Sequence, residues 1–572
     1  MASTSSIERH FARELSLSDD MISRARTESE KNGVPLIEVI KQLGFATEEH
    51  LYQSLARFCE MRFVVPSKEQ IPAEITDKVP ARFATHYNFV PIQKKNGTLV
   101  VAISDPLNTN LLDDIRLVLK TRIEAVVATP TEIERSTKTL YGLGADTMER
   151  IVSAAADKEK VVNLEATAQN MDLGDEKIDA SIIKFVNEVF MEAIQSGATD
   201  IHIEPFEDEL RIRYRIDGIL HQIPTPPSIR GFHAAIVSRV KVMANLNIAE
   251  KRLPQDGKIL ASFGDGRYDL RTSILPTPHG ETINVRILSR ASMFLTLNQL
   301  GYSDRDMVLI NGFLKKPHGI ILVTGPTGSG KSTTLYASLN VLNQVDRKIL
   351  TIEDPVEYQM KGITQMQVQP QIGFDFARGL RSMLRHDPDV MMVGEIRDYE
   401  TAEMAIRSSL TGHLVFSSLH TNDAAGAVTR LTDMGVEPFL IASTMIASIA
   451  QRLVRRVCAH CAESYEPERE LLVELRVRDD ELPGSTFRRG RGCDKCRHTG
   501  YSGRIAIAEI LPFAQVIKEM TVARATSVAI KQKGRELGMS TLRDAGWQRA
   551  KRGETTVEEI LRVTADTDVV FS

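Results

Sequence analysis

The stretch GIILVTGPTGSGKSTTLY, residues 319–336, sets a short apolar strand, a glycine-rich turn and the start of a helix in one line. Within it, Gly325-Pro326-Thr327-Gly328-Ser329-Gly330-Lys331-Ser332-Thr333 fits G-x4-G-K-[ST], and the strand before it and helix after it give that pattern its meaning. The glycines let backbone N–H groups curl around phosphates, and a helix N-terminus adds positive potential. Lys331 is expected to reach the β- and γ-phosphates of ATP, with the Ser332 hydroxyl on Mg2+. A ligand-free glycine turn is the competing reading, and the agreement of strand, loop, Lys, Ser and helix opposes it.

Working outward, KILTIEDP, DVMMVGE and HLVFSSLH read as strands, and FARGLRSMLRHDP and TAEMAIRSSLTG as helices. Short apolar strands alternating with helices predict a parallel sheet covered on both faces, with its chemistry at the carboxyl ends of the strands. The strand DVMMV leads to Gly394-Glu395, which places a carboxylate beside the loop to position or activate water. Gly394 stands where an Asp usually precedes such a Glu, so Mg2+ needs another carboxylate. TIEDPVEY, residues 351–358, offers Glu353, Asp354 and Glu357, against the reading that Asp354-Pro355 only makes a turn. His413 and His420 bracket the next strand, seven residues apart, and a two-residue period turns them to opposite faces, which opposes a shared metal.

A chain of 572 residues exceeds one core and predicts several domains. A net charge of −4 gives no global reason to bind nucleic acid. The opening MASTSSIERHFARELS lacks a secretory pattern, and no stretch of eighteen apolar residues follows, so the expectation is a cytoplasmic protein with at most peripheral membrane contact. Residues 1–145 mix helices with a hairpin turning at Asn96-Gly97, and residues 146–176 read as a polar linker. Residues 177–300 form a second α/β unit. In its strand ELRIRYRIDG, Leu210, Ile212, Tyr214 and Ile216 should face the core, leaving Arg211, Arg213 and Arg215 on the other face, as a solvated surface or, in the competing reading, an anion or partner site.

Four of five cysteines form two C-x2-C pairs, Cys458/Cys461 and Cys493/Cys496, separated by 31 residues. Two such knuckles predict a closed tetrahedral Zn2+ site; redox dithiols are the alternative, weakened because neither pair has a βαβ context. Arg488, Arg489, Arg491, Lys495, Arg497 and Arg504, with Arg452, Arg455 and Arg456 before them, should make this module's surface basic. That surface is either simply solvated or suited to acidic partner loops or anionic headgroups.

In order, GPTGSGKSTTLY, TIEDPVEY, DPDVMMVGEIRD and TGHLVFSSLHTNDA, followed by the two cysteine pairs, resemble the secretion ATPases of the type II secretion and type IV pilus assembly branch (GspE/PilB-like). The resemblance covers roughly residues 60–572. It implies that residues 325–333 are the Walker A loop, that Glu353, Asp354 and Glu357 belong to an aspartate box, and that Glu395 is the catalytic Walker B glutamate. His413 and His420 would form a histidine box, and the missing Walker B Asp is that family's habit. The implied α/β architecture has an additional N-terminal α/β domain, a PAS-like α/β domain at 177–300, and a RecA-like P-loop core at 301–572. That core would include the zinc module at about 455–505 and C-terminal helices. It also implies a homohexamer in which Arg271 and Arg286, from YDLRTSILPT and TINVRIL, reach the nucleotide phosphates from the PAS-like domain.

The function implied is a motor using ATP, Mg2+ and structural Zn2+ to drive pilin or pseudopilin polymerisation, with an inner-membrane platform protein and other assembly components as partners. A nucleic-acid translocating motor is the alternative, opposed by the acidic charge and the lack of clustered aromatics. A non-hydrolysing scaffold is opposed by Lys331, Ser332 and Glu395. Related ATPases can carry an N-terminal module for cyclic di-GMP, and the aligned stretch is PLIEVIKQLGFATEEHLYQSLARF, residues 35–58. Gly44, Leu51 and Leu55 fit its pattern. Pro35, Ile37 and Phe58 replace its Arg, Gly and Gln, which argues against cyclic di-GMP and for a docking domain.

Overall fold

The computed structural model describes residues 4–76, 78–145, 147, 176–263, 266–289 and 295–565, so the expected linker falls almost wholly outside the described residues. The chain forms two units, Met1–Leu288 and Ser289–Ser572.

In the first unit, helices Thr4–Glu14, Asp19–Asn32, Leu36–Gln42 and Glu48–Phe58 bury Phe11, Ile40 and Leu51 among themselves. A three-stranded sheet follows, β1 (Phe89–Lys95), β2 (Thr98–Ile103) and β3 (Arg122–Val127), in that order. The β1–β2 hairpin turns where expected, with Asn96 at φ 48° and Gly97 at φ 81°, the left-handed pair that a tight two-residue turn requires. β3 runs parallel to β2 after the crossover helix Thr109–Leu119.

Helix Glu176–Gln195 then lies against a six-stranded sheet built from β4 (Ala198–Pro205), β5 (Leu210–Ile216), β6 (Ile219–Ile223), β7 (Gln255–Phe263), β8 (Gly266–Thr277) and β9 (Gly280–Ser289). Its order is β6-β5-β4-β9-β8-β7. Leu210, Ile212 and Tyr214 are buried as the alternation predicts, and the Tyr214 hydroxyl donates to Val189 O at 2.8 Å. The opposite face holds the arginines in ion pairs, Arg213 with Glu204 at 2.7 Å and Arg215 with Asp200 at 3.8 Å.

The second unit is a seven-stranded sheet. Its strands are β10 (Gly319–Thr324), β11 (Ile349–Glu353), β12 (Thr364–Gln367), β13 (Val390–Val393), β14 (Leu414–Leu419), β15 (Met445–Val457) and β18 (Tyr501–Pro512). They lie in the order β12-β11-β13-β14-β10-β15-β18, parallel except for β18, which returns antiparallel to β15. β10 is buried along its whole length, as a central strand between two helical layers must be. One apolar core gathers Leu335, Leu339 and Phe313 on one face, and another gathers Leu380, Ile406 and Trp547 on the other. At the β12 edge the strand has only four residues, none of them buried. At the other edge the helix Leu542–Lys551 packs on β18. Between β15 and β18 the chain inserts a small ribbon, β16 (Ala462–Ser464) against β17 (Arg488–Gly490), which carries the cysteines.

Candidate active site

Strand β10 delivers the chain into the glycine loop. Gly325 (φ 147°), Gly328 (φ 79°) and Gly330 (φ 86°) take conformations that side chains resist. Two of them also lack room: a Cβ on Gly325 would meet Gln451 O at 2.6 Å, and one on Gly330 would meet Gln451 Nε2 at 2.7 Å. The helix Lys331–Leu342 starts directly after Gly330 with no side-chain cap, so its first N–H groups face the loop's concavity. Lys331 Nζ donates to Gly325 O at 2.8 Å and Pro326 O at 3.0 Å. Burial lowers the Lys331 pKa, with the Glu395 carboxylate acting against that and Arg452 adding to it.

Strands β13 and β14 lie side by side in register, and their carboxyl ends are stitched together. Ser417 Oγ donates to Val393 O at 2.9 Å and Ser418 Oγ to Gly394 O at 2.8 Å. These bonds fix Gly394-Glu395 next to the loop. The Glu395 carboxylate, only 15% exposed, pairs with Arg397 at 2.5 Å and lies 3.5 Å from His420 Nε2. Burial and the Lys331 charge lower the His420 pKa below its usual value, so the imidazole is neutral at pH 7.

The structure sets two of the expected site residues apart from the loop. His413 stands at the amino end of β14, where Nδ1 lies 2.8 Å from Ser408 O, while His420 stands at the carboxyl end. At about 3.3 Å per residue they are on the order of 20 Å apart, so His413 is not part of this chain's loop cluster. Glu353 is held in the interior. It is 4% exposed, accepts bonds from Tyr336 OH, from Thr351 Oγ1 at 2.6 Å and from Gln365 Nε2 at 3.2 Å, and burial raises its pKa. Asp354, the next residue, is exposed, and the Glu357 N–H donates to Tyr336 OH at 3.3 Å. The carboxylates the box can offer a cation are therefore Asp354 and Glu357.

Two residues absent from the sequence reading, Arg397 and Gln451, belong to the cluster, as does Arg452, expected on a basic surface. Arg452 is only 7% exposed and donates to Asn422 Oδ1 at 3.3 Å, so it is no part of a basic surface. A Gln-Arg pair inside the apolar strand MIASIAQRLVRRV was the signal available, because a buried polar side chain must find partners.

Residues 175–562 match the family model described as Type II/IV secretion system protein. The chain belongs to that family. It is thereby an ATP hydrolase of the secretion ATPase class. It is 39% identical over 562 residues to the type IV pilus assembly ATPase PilB of Myxococcus xanthus, covering 97% of this chain and 98% of that one. It is 41% identical to the type II secretion system protein E of Xanthomonas campestris, with 96% of each covered. The type II secretion system protein E of Pseudomonas aeruginosa is 49% identical over 69% of this chain and 78% of its own length. Residues 59–147 match the MshEN domain, a cyclic di-GMP-binding type. That match runs against the expectation drawn from residues 35–58, a stretch lying just outside it.

In this secretion ATPase, Arg271 and Arg286 belong to the Met1–Leu288 unit. On β8 and β9 they alternate with the buried Leu270, Thr272, Val285 and Ile287, which puts them on the outward face with Arg211, Arg213 and Arg215. Asp200, on β4, is cross-strand partner to both Arg215 and Arg286, and its carboxylate sits 3.1 Å from Arg286 Nε.

The four cysteines converge. Sulfur separations are 3.9 Å for Cys458–Cys493, and 3.7 Å for Cys461–Cys496 and Cys493–Cys496. Ligands held about 2.3 Å from a tetrahedral Zn2+ lie about 3.8 Å apart, so the donor set fits that ion in number, type and spacing. Burial pushes the Cys461 thiol up to about 12. At Cys496 burial is outweighed by backbone N–H groups of Cys493 and Gly500, which bring it down to about 7. The knuckle is tight: a Cβ on Gly490 would fall 2.0 Å from Gly500 O. The module's Arg488, Arg489, Arg491, Lys495, Arg497 and Arg504 are exposed, whereas Arg455 folds inward onto Glu559 at 2.9 Å. Among the described residues no helix is long and apolar enough to cross a membrane.

Proposed function

We propose that this ATPase works as a cytoplasmic homohexamer, peripheral at the inner membrane, and converts hydrolysis into domain motions that drive pilin or pseudopilin polymerisation through a platform protein and other assembly components. Relatives named for type IV pilus assembly and for type II secretion both match nearly the whole chain, which supports a filament-building role of either kind. The observation that carries the catalytic reading is Glu395, a mostly buried carboxylate at the end of β13 within the electrostatic reach of Lys331. Residues 325–333 bind the phosphates, and Glu395 orients water with neutral His420 beside it. Ser332 and Asp354, with Glu357, would hold Mg2+, which neutralises phosphate charge. Arg271 and Arg286 stabilise the transferring phosphoryl, a role worth orders of magnitude in rate. The cysteine module holds Zn2+ structurally.

Glu395→Gln tests this in the full-length protein. Nucleotide binding is expected to persist while turnover falls by about 10²-fold or more; full turnover would remove Glu395 from the mechanism. The MshEN match at 59–147 favours a second reading for the N-terminal domain, a cyclic di-GMP sensor in place of a pure docking domain. Calorimetric titration with cyclic di-GMP decides it, saturable binding supporting the sensor and absence of heat supporting docking alone.

A further inference from the structure

The phosphate loop rests on a buried side chain that the hydrolytic mechanism does not use. Gln451, 2% exposed on β15, donates from Nε2 to Ser329 O at 2.7 Å. Its Oε1 accepts from Thr334 Oγ1 at 2.7 Å and from Tyr302 OH, and those two hydroxyls lie 2.9 Å apart. A Cβ on Gly330 would meet the Gln451 Nε2, and one on Gly325 would meet the main-chain O of the same residue. The loop's two outer glycines are therefore demanded from beneath by Gln451 as well as by the phosphates above.

Tyr302 connects this cluster to a second element. It follows the short helical turn Leu297–Leu300, which is closed by a capping box of Thr296 and Gln299. Leu297 and Tyr302 are buried in one core with Leu335 and Leu339 of the helix after the loop. Residues 295–302 are the first described stretch after β9 and lie near the start of the Ser289–Ser572 unit.

We infer that Gln451 is a positioning residue for ATP hydrolysis, holding the phosphate loop from below and tying it through Tyr302 to the segment near the start of the ATPase unit. This rests on the reading of residues 325–333 as the nucleotide loop. A shift of that segment moves Tyr302 OH relative to Gln451, and Gln451 passes the shift to Ser329 O and the amides that face phosphate. A residue that merely fills the core would affect melting and leave the kinetics of the folded molecules alone.

The test compares Tyr302→Phe, Gln451→Glu and Lys331→Ala in the full-length protein, measuring melting temperature, KM for ATP and kcat per folded molecule. Gln451→Glu turns a donor into a second acceptor against Ser329 O, and KM is expected to rise about tenfold or more. Tyr302→Phe keeps the ring and removes one hydroxyl, and kcat is expected to fall about threefold or more with KM nearly unchanged. Wild-type KM and kcat in both variants, whatever their melting temperatures, would overturn the inference. If Gln451→Glu does not fold, Tyr302→Phe decides alone: a kcat within twofold of wild type overturns it. Wild-type binding and turnover in Lys331→Ala would instead strike the nucleotide-loop reading, so the two failures are separable.

Discussion

Replacing Glu559 with Ala should loosen the join between the C-terminal helix and the strand that leads to the cysteines. Glu559 has a fully buried carboxylate on the helix Val557–Thr564. It accepts from Arg455 N at 3.0 Å, Nε at 3.1 Å and Nη2 at 2.9 Å, and from Arg562 Nε at 2.8 Å. Arg562 is 46% exposed, so losing that pair costs under about 1 kcal/mol. Arg455 is 16% exposed, and leaving it without its carboxylate costs about 3–5 kcal/mol. The Tyr501 ring, 3.9 Å from its guanidinium, is kept in both proteins and cancels from the comparison, and partial re-solvation of the freed arginine holds the cost to the low end of that range. The net local loss is about 3 kcal/mol, or about a hundredfold in the opening equilibrium. Hydrogen exchange at the amides of residues 451–457 and 557–564 should speed up by that factor while β10 and β14 stay protected. The arginine contacts outweigh burial and lower the Glu559 pKa, so the wild-type advantage is full above about pH 4.3, the unfolded value, and is lost as pH falls through the depressed folded value. Protection reduced less than fivefold at neutral pH, or a difference between the two proteins that survives full acidification, would refute the reasoning.

Arg271→Ala and Arg286→Ala are each expected to abolish hydrolysis with the fold intact, since both side chains lie on the outward sheet face; near-normal ATPase rates with an unchanged circular dichroism spectrum would count against their role. Metal removal by a chelator should raise hydrogen exchange first within residues 455–505, because structural zinc binding is folding free energy. Unchanged exchange there after verified metal loss would defeat the structural-zinc reading.

The parts legible in the sequence were those with local causes. The hairpin at Asn96-Gly97 and the loop glycines declare positive φ, and the strand Leu210–Ile216 declares its buried face by alternation. The spacing of the two cysteine pairs foretells that their four sulfurs converge. What stayed hidden depends on pairing between distant segments. Gln451 meets Tyr302 across 149 residues, and no local pattern encodes that meeting. Glu353 reads as a strand-end carboxylate aimed at a ligand, yet Tyr336, from the helix after the loop, captures it. Arg452 and Arg455 count as surface charge in composition, while folding turns both inward.

The two edges of the seven-stranded sheet bear on how copies of this chain can meet. An open strand edge offers unpaired N–H and C=O groups to any other strand. Here β12 is four residues of Thr, Gln and Met with no buried position, too short and too polar to template a partner. At the far side, the helix Leu542–Lys551 packs on the face of β15 and β18 and leaves the margin of β18 to its own backbone twist and side chains. With the β12 margin blunted, pairing of one sheet onto the next through that edge into a fibre is disfavoured.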